Sequence, residues 1–178
     1  MAKILLEELL FGGGNLEVSL RANHLRQVPT SIASLVEPKQ STIQANETVV
    51  VSGGARGVTA ACVIAWAQES KGRFVLLGRT ELVDEPQVCE GTEGDANLKR
   101  ALLLDAKNRM QKITPAGLSK KVKQVLACRE IKATLAAVAS VGGEAQYRSV
   151  DVTNQASVVA ALDAVRAQWG PIHGLLHG

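Results

Sequence analysis

From residue 48 onward, apolar positions alternate between two patterns, while residues 1–46 carry no single one. Thr48-Val49-Val50-Val51-Ser52 is an unbroken β-branched run, the mark of a strand covered on both faces. Residues 58–70 are small and apolar at helical spacing, and Arg73 to Gly78 reads as a second buried strand. Residues 128–141 return to helical spacing, with Ile131, Leu135 and Val138 at i, i+4 and i+7, and Gly142-Gly143 supplies a stop. Ala145 to Val150 reads as a third strand. Residues 154–168 read as a helix carrying Val158, Val159, Leu162 and Val165, ended by Gly170-Pro171. Ile172 to Leu176 is the fourth strand. This alternation predicts an α/β fold on a parallel sheet with right-handed crossovers.

Two stretches fall outside the alternation. In the first, residues 2–10 suit a short helix and Leu16 to Leu20 alternates like an edge strand. Pro29, Pro38 and Gln40-Ser41-Thr42 read as a linker, so residues 1–46 are expected to form a small structural segment before the main domain at 47–178. The second is an insert at 81–127, between the second strand and the third helix. Positions 81–95 hold six acids and no base, and positions 96–132 hold ten bases and two acids. The acidic part reads as a loop. The basic part reads as helix broken at Thr114-Pro115-Ala116-Gly117, its charges a solvated face.

Composition narrows the functions. The chain has 178 residues and a net charge of +3, and five of its residues are aromatic. So few stacking platforms and so small a balance give no footing for nucleic acid. No apolar run reaches the ~18 residues of a membrane span, so no membrane is expected. Glu7 and Glu8 interrupt the apolar N-terminus, which argues against a signal peptide. Cys62, Cys89 and Cys128 fit no metal-ligand spacing, and their odd number suits a reducing, cytoplasmic setting. Cysteines within apolar helical patterns are expected as small core residues.

Chemistry concentrates at Ser52-Gly53-Gly54-Ala55-Arg56-Gly57-Val58-Thr59, which leaves a strand and opens a helix. That context suits a dinucleotide's pyrophosphate: Gly53 turns the chain, Gly54 and Gly57 admit backbone amides, and the helix start supplies positive potential. A Rossmann-like doubly wound sheet follows as the expected architecture. The second strand ends in Gly78-Arg79-Thr80, where NAD sites usually carry an acid. A guanidinium there suits a 2′-phosphate, so NADP(H) is expected over NAD(H), with Arg56 a second phosphate partner. Asp151, beside Val152, is placed either to accept from an adenine amino group or to cap the next helix, as Thr153 and Asn154 could also do. His177-Gly178, at the end of the fourth strand, falls on the cofactor side; His24 and His173 show no partner pattern.

Together these segments resemble the short-chain dehydrogenase/reductase superfamily, and within it the ketoreductase domains of polyketide and fatty-acid synthases. SGGARGVT resembles the family's glycine loop, with Thr59 where many members have a third glycine. LLGRT resembles the second-strand segment of NADPH-dependent ketoreductases, DVT the adenine-side motif, and IHGLLHG the start of the fourth-strand motif. The stretch REIKATLAAVASVGGEAQYRSVDVT is most similar to the ketoreductase of polyunsaturated fatty-acid synthases. The resemblance implies an NADPH-dependent β-ketoacyl reductase acting on 3-ketoacyl chains carried by an acyl carrier protein. Gly53, Gly54, Ala55, Arg56, Gly57 and Val58 would cradle the pyrophosphate. Arg79 and Thr80 would hold the 2′-phosphate, Asp151 and Val152 would flank the adenine, and His177 and Gly178 would line the ribose and nicotinamide side.

The family's catalytic serine and tyrosine lie beyond the fourth strand, and the one tyrosine here, Tyr147, precedes the third-strand aspartate. The expectation is therefore the N-terminal, cofactor-binding part of such a domain. It would have no catalytic residue of its own, would be inactive alone and would be partnered by the rest of the domain. Four strands in the order 3-2-1-4 would leave the fourth as an open edge, predicting marginal stability or self-association. The rival is a non-catalytic structural module, a pseudo-reductase.

Overall fold

The computed structural model describes residues 2–12, 14, 18–20, 26–28 and 43–178. The expectations for Leu16 and Glu17, His24, Pro29, Pro38 and residues 40–42 lie outside them. The chain divides into two compact units, residues 1–39 and 40–178. The first contains helix α1 (Ala2–Phe11) and an antiparallel pair, β1 (Ser19–Leu20) and β2 (Arg26–Gln27). Arg26 ties this unit together, with Nε donating to Glu8 Oε2 at 2.8 Å and Nη2 to the Gly12 carbonyl at 2.7 Å.

The second unit is the α/β domain. Strands β3 (Thr48–Ser52), β4 (Arg73–Gly78), β5 (Glu144–Ser149) and β6 (Ile172–His177) form one sheet in the order β5-β4-β3-β6, every pairing parallel. Helices α2 (Gly57–Ser70), α3 (Asp95–Asn108), α4 (Pro115–Ser140) and α5 (Gln155–Trp169) join them. Side chains of a strand alternate between faces, and the core divides accordingly. Val49, Val51, Phe74 and Leu76 face Val63 and Ala67 of α2 and Ile131 and Val138 of α4. Val50, Val75 and Leu77 face Ala161 and Val165 of α5. The sheet is therefore wound on both sides. β6 stands at its edge, with Leu175 largely exposed.

The insert differs from its expectation in one respect. Its basic part does not end at residue 127, because α4 runs unbroken from Pro115 to Ser140. The Thr114-Pro115 break is the start of this helix: Thr114 Oγ1 accepts from the Gly117 amide at 3.1 Å, and Pro115 opens the first turn. One helix thus serves two cores. Its C-terminal half packs on the sheet, while Val122 and Val125 close a satellite cluster with Leu98, Leu102 and Cys89. Cys62 is exposed on α2, against the core role expected of it, because its position faces away from Val63 and Ala67.

The acidic segment is fastened to α4 by Arg129. Its guanidinium pairs with both oxygens of Glu85 and donates to the carbonyls of Cys89 and Thr92, each at 2.7 Å. The Arg129 hydrogen bond holds the Glu85 carboxyl below its ordinary value near 4.5. A depressed folded-state value contributes stability above the unfolded value and loses it as pH falls through the folded one. We therefore expect amide-exchange protection of residues 81–95 to fall below about pH 4.5. Arg129→Ala should remove both the protection and its pH dependence, with the sheet amides unchanged. Unaltered exchange in the variant would contradict the clasp.

Candidate functional site

The site forms at the carboxyl ends of the parallel strands. β3 ends at Ser52, and the chain turns at Gly53, whose φ is +70°. The Gly53 amide donates to the Leu77 carbonyl at 2.8 Å, joining the bend to the end of β4. Gly57 opens α2 at φ +62°, and a Cβ there would point into open space. Main chain is thus exposed at the start of a helix, the arrangement a diphosphate accepts. Arg56 is the N-cap residue of that helix.

Gly54 has a different reason to be glycine from the one its spacing suggests. A Cβ on it would lie 2.5 Å from Val51 Cγ1, so its bare Cα admits close packing against the strand. Ala55 is likewise core, and its carbonyl accepts from Thr134 Oγ1 on α4 at 2.9 Å. Val58 is exposed on the first turn of α2.

Two adjoining cavities, of about 440 and 360 Å³, share Gly53, Leu77, Gly78 and Arg79 and so make one groove. The first adds Ala55, Arg56, Thr80 and Tyr147; the second adds Asp151, Val152, His177 and Gly178. Arg79 stands where they meet. Its guanidinium has no hydrogen-bond or ion-pair partner among the described residues, although it exerts a weak pull on the Asp151 carboxyl. The carbonyl of Thr80 is held by the Tyr147 hydroxyl at 2.7 Å. Burial raises the Tyr147 phenol above its ordinary value, so it stays a donor there. A Cβ at Gly78 would meet that hydroxyl at 2.9 Å. Tyr147 is a contributor that the sequence pattern did not single out for the groove.

Asp151 turns the chain rather than capping α5. Its Oδ1 accepts from the Thr153 amide at 3.0 Å and from the Thr153 hydroxyl at 2.8 Å, and the hydroxyl bond leads in holding its carboxyl low. The helix cap is Asn154, whose Oδ1 accepts from the Ser157 amide at 3.1 Å. His177 Nδ1 and Ser52 Oγ share a 2.6 Å hydrogen bond between neighbouring strand ends. His173 also has a partner, accepting from the Thr48 amide at 3.0 Å. Thr59 and Gly178 answer each other: a Cβ at 178 would fall 2.5 Å from Thr59 Cγ2, so the larger residue in the first turn of α2 is matched by a glycine opposite.

One acid enters the loop from outside. Glu130 on α4 accepts from the Gly57 amide at 2.9 Å and from Arg56 Nε at 2.7 Å. The Arg56 bond first, then the Gly57 amide, holds its carboxyl below the ordinary range.

No protein-family model matches the chain. It is 33% identical over 169 residues to a polyunsaturated fatty acid synthase polypeptide of Thraustochytrium sp. (strain ATCC 26185 / S-3), covering 90% of the chain. It spans only 6% of that relative's length. Among solved structures, an N-terminal ketoreductase from the macrolactin assembly line superposes with TM-score 0.49 at 16% identity, covering 78% of this chain and 19% of that one. A metagenomic short-chain oxidoreductase in complex with NADP gives 0.44 at 17% identity, covering 74% and 38%.

Proposed function

We propose that the chain is the cofactor-binding part of an NADPH-dependent β-ketoacyl-[acyl carrier protein] reductase within a multifunctional polyketide or polyunsaturated fatty-acid synthase. The observation that carries this reading is the groove onto which the Gly53 bend, Arg56 at the N-cap of α2, and Arg79 all open. The synthase setting is supported by the Thraustochytrium relative. Bound NADPH would supply the hydride that reduces the β-carbon of a 3-ketoacyl thioester.

The chain's own residues would bind and orient it. Gly53, Arg56, Gly57 and Val58 would meet the pyrophosphate, with the buried Gly54 and Ala55 seating the loop behind them, and Gly57 suits this because a side chain there would project into open space. Arg79 and Thr80 would take the 2′-phosphate, since a guanidinium with no partner among the described residues can give it two charge-assisted hydrogen bonds. Asp151 and Val152 would border the adenine. His177 and Gly178 would line the ribose and nicotinamide side. Tyr147 spends its hydroxyl on Thr80, so we assign the proton donor to the remaining part of the reductase domain. On this reading the present stretch binds the cofactor but does not turn over substrate, and its setting is cytoplasmic.

Fluorescence titration of NADPH and NADH tests the reading. We expect NADPH to bind at least ~10-fold more tightly, the worth of one good charge-assisted contact. Equal and very weak binding of both would overturn the cofactor role and favour a structural module.

A further inference from the structure

The proposed function gives the glycine loop to the pyrophosphate, and one side chain already engages two of the donors there. Glu130 Oε1 takes the Gly57 amide, the first of α2, and Oε2 takes the guanidinium of Arg56. A carboxylate with one oxygen on a helix-start amide and the other on an arginine makes the contacts a phosphate would make there.

The backbone beneath this carboxylate is held firmly. Ile131 is fully buried in the main core, Arg129 is bonded into the insert, and Thr134 bonds the Ala55 carbonyl of the same loop. The carboxylate itself is not. The side chains of Glu130 and Arg56 are 43% and 50% exposed, and an ion pair so open to water is weakly held. An arriving phosphate also brings like charge up to Glu130, which favours its departure.

We propose that Glu130 is an internal phosphate surrogate that sets cofactor affinity: it holds Arg56 and the Gly57 amide in the free protein and is exchanged for a phosphate of the dinucleotide. The inference rests on the groove being an NADPH site. Glu130 keeps the loop's donors aimed before the cofactor arrives, and the exchange lowers net affinity by the contacts it gives up.

Glu130→Gln and Glu130→Ala in the full 178-residue chain test this. NADPH and NADH are titrated by nicotinamide fluorescence, and adenosine 2′,5′-bisphosphate by calorimetry. We expect both variants to bind NADPH about 3- to 10-fold more tightly, from the loss of one exposed ion pair and one like charge. A gain confined to NADPH and the bisphosphate would assign the exchange to the 2′-phosphate; an equal gain for NADH would assign it to the pyrophosphate. Both results support the surrogate. Amide exchange adds a readout without cofactor: Gly57 should exchange faster in Glu130→Ala than in the wild type.

Unchanged or weaker NADPH binding in both variants, with the wild type still binding, would overturn the proposal and make Glu130 a support for Arg56. Unchanged Gly57 exchange would overturn it also. If neither the wild type nor the variants bind NADPH, the cofactor reading fails and takes this inference with it. Glutamine keeps the helix propensity, and matching circular dichroism and melting curves establish that the variants fold.

Discussion

Arg79→Ala is expected to weaken NADPH binding by about 10- to 100-fold and leave NADH within about twofold of the wild type. Hydrogen bonds to a charged group contribute ~1.5–3 kcal/mol, and each 1.4 kcal/mol is tenfold in affinity. Three features make the effect large. Arg79 follows the last residue of β4, at the junction of the two cavities. Among the described residues it has no ion pair to break before it can serve a ligand. Its backbone neighbour Thr80 is pinned by Tyr147, so the turn presenting the guanidinium is set in advance. Arg79→Lys should fall between the two, because an ammonium keeps the charge but not the two-pronged geometry. Titrating both cofactors against all three proteins reads this out. Equal losses for NADPH and NADH would remove the 2′-phosphate role from Arg79.

Phe74→Ala is expected to carry the largest stability loss, about 3–5 kcal/mol, as for other buried aromatics cut to alanine. Phe74 is fully buried on β4, which pairs with both β3 and β5, and it packs edge-to-face on Trp66 with ring centroids 5.6 Å apart. Removing it opens a void between the sheet and α2. Against a typical total of ~5–15 kcal/mol, that is enough to bring the domain near its unfolding point. Urea denaturation followed by circular dichroism measures it. A loss under ~1 kcal/mol would mean that this core collapses around the void, contrary to the packing described.

What could be read from the chain alone divides by the range of the interaction. The strands were legible because Val49, Val50 and Val51 are all buried, and a doubly covered strand needs an unbroken apolar run. The parallel sheet followed from the alternation of elements, its strand order from the family resemblance, and the bend at Gly53 from its place after β3. Contacts between distant residues were not legible. Nothing local marks Glu130 as a partner of Gly57, 73 positions away, or Tyr147 as a partner of Thr80. Gly54 shows the same limit in reverse. Its spacing points to a ligand in front of the loop, whereas the contact a Cβ would make there is with a side chain behind it, Val51. The continuity of α4 across residue 127 was not legible, because Val122 and Val125 are patterned for the satellite cluster and Ile131 and Val138 for the sheet, so the helix carries no single apolar stripe.

The adjacency of Arg129 and Glu130 limits how α4 can be altered. Consecutive helical residues point about 100° apart, so one reaches the acidic segment while the next reaches the glycine loop. Adding or removing a single residue between Leu118 and Arg129 would turn the satellite cluster by that angle relative to the sheet, and no side-chain adjustment spans such a swing. Length changes in that span are tolerable only in steps that restore the phase, whereas the exposed connection at 109–112 can lengthen freely. Related chains should accordingly differ in the size of what precedes the helix while keeping the pitch between its two anchoring ends.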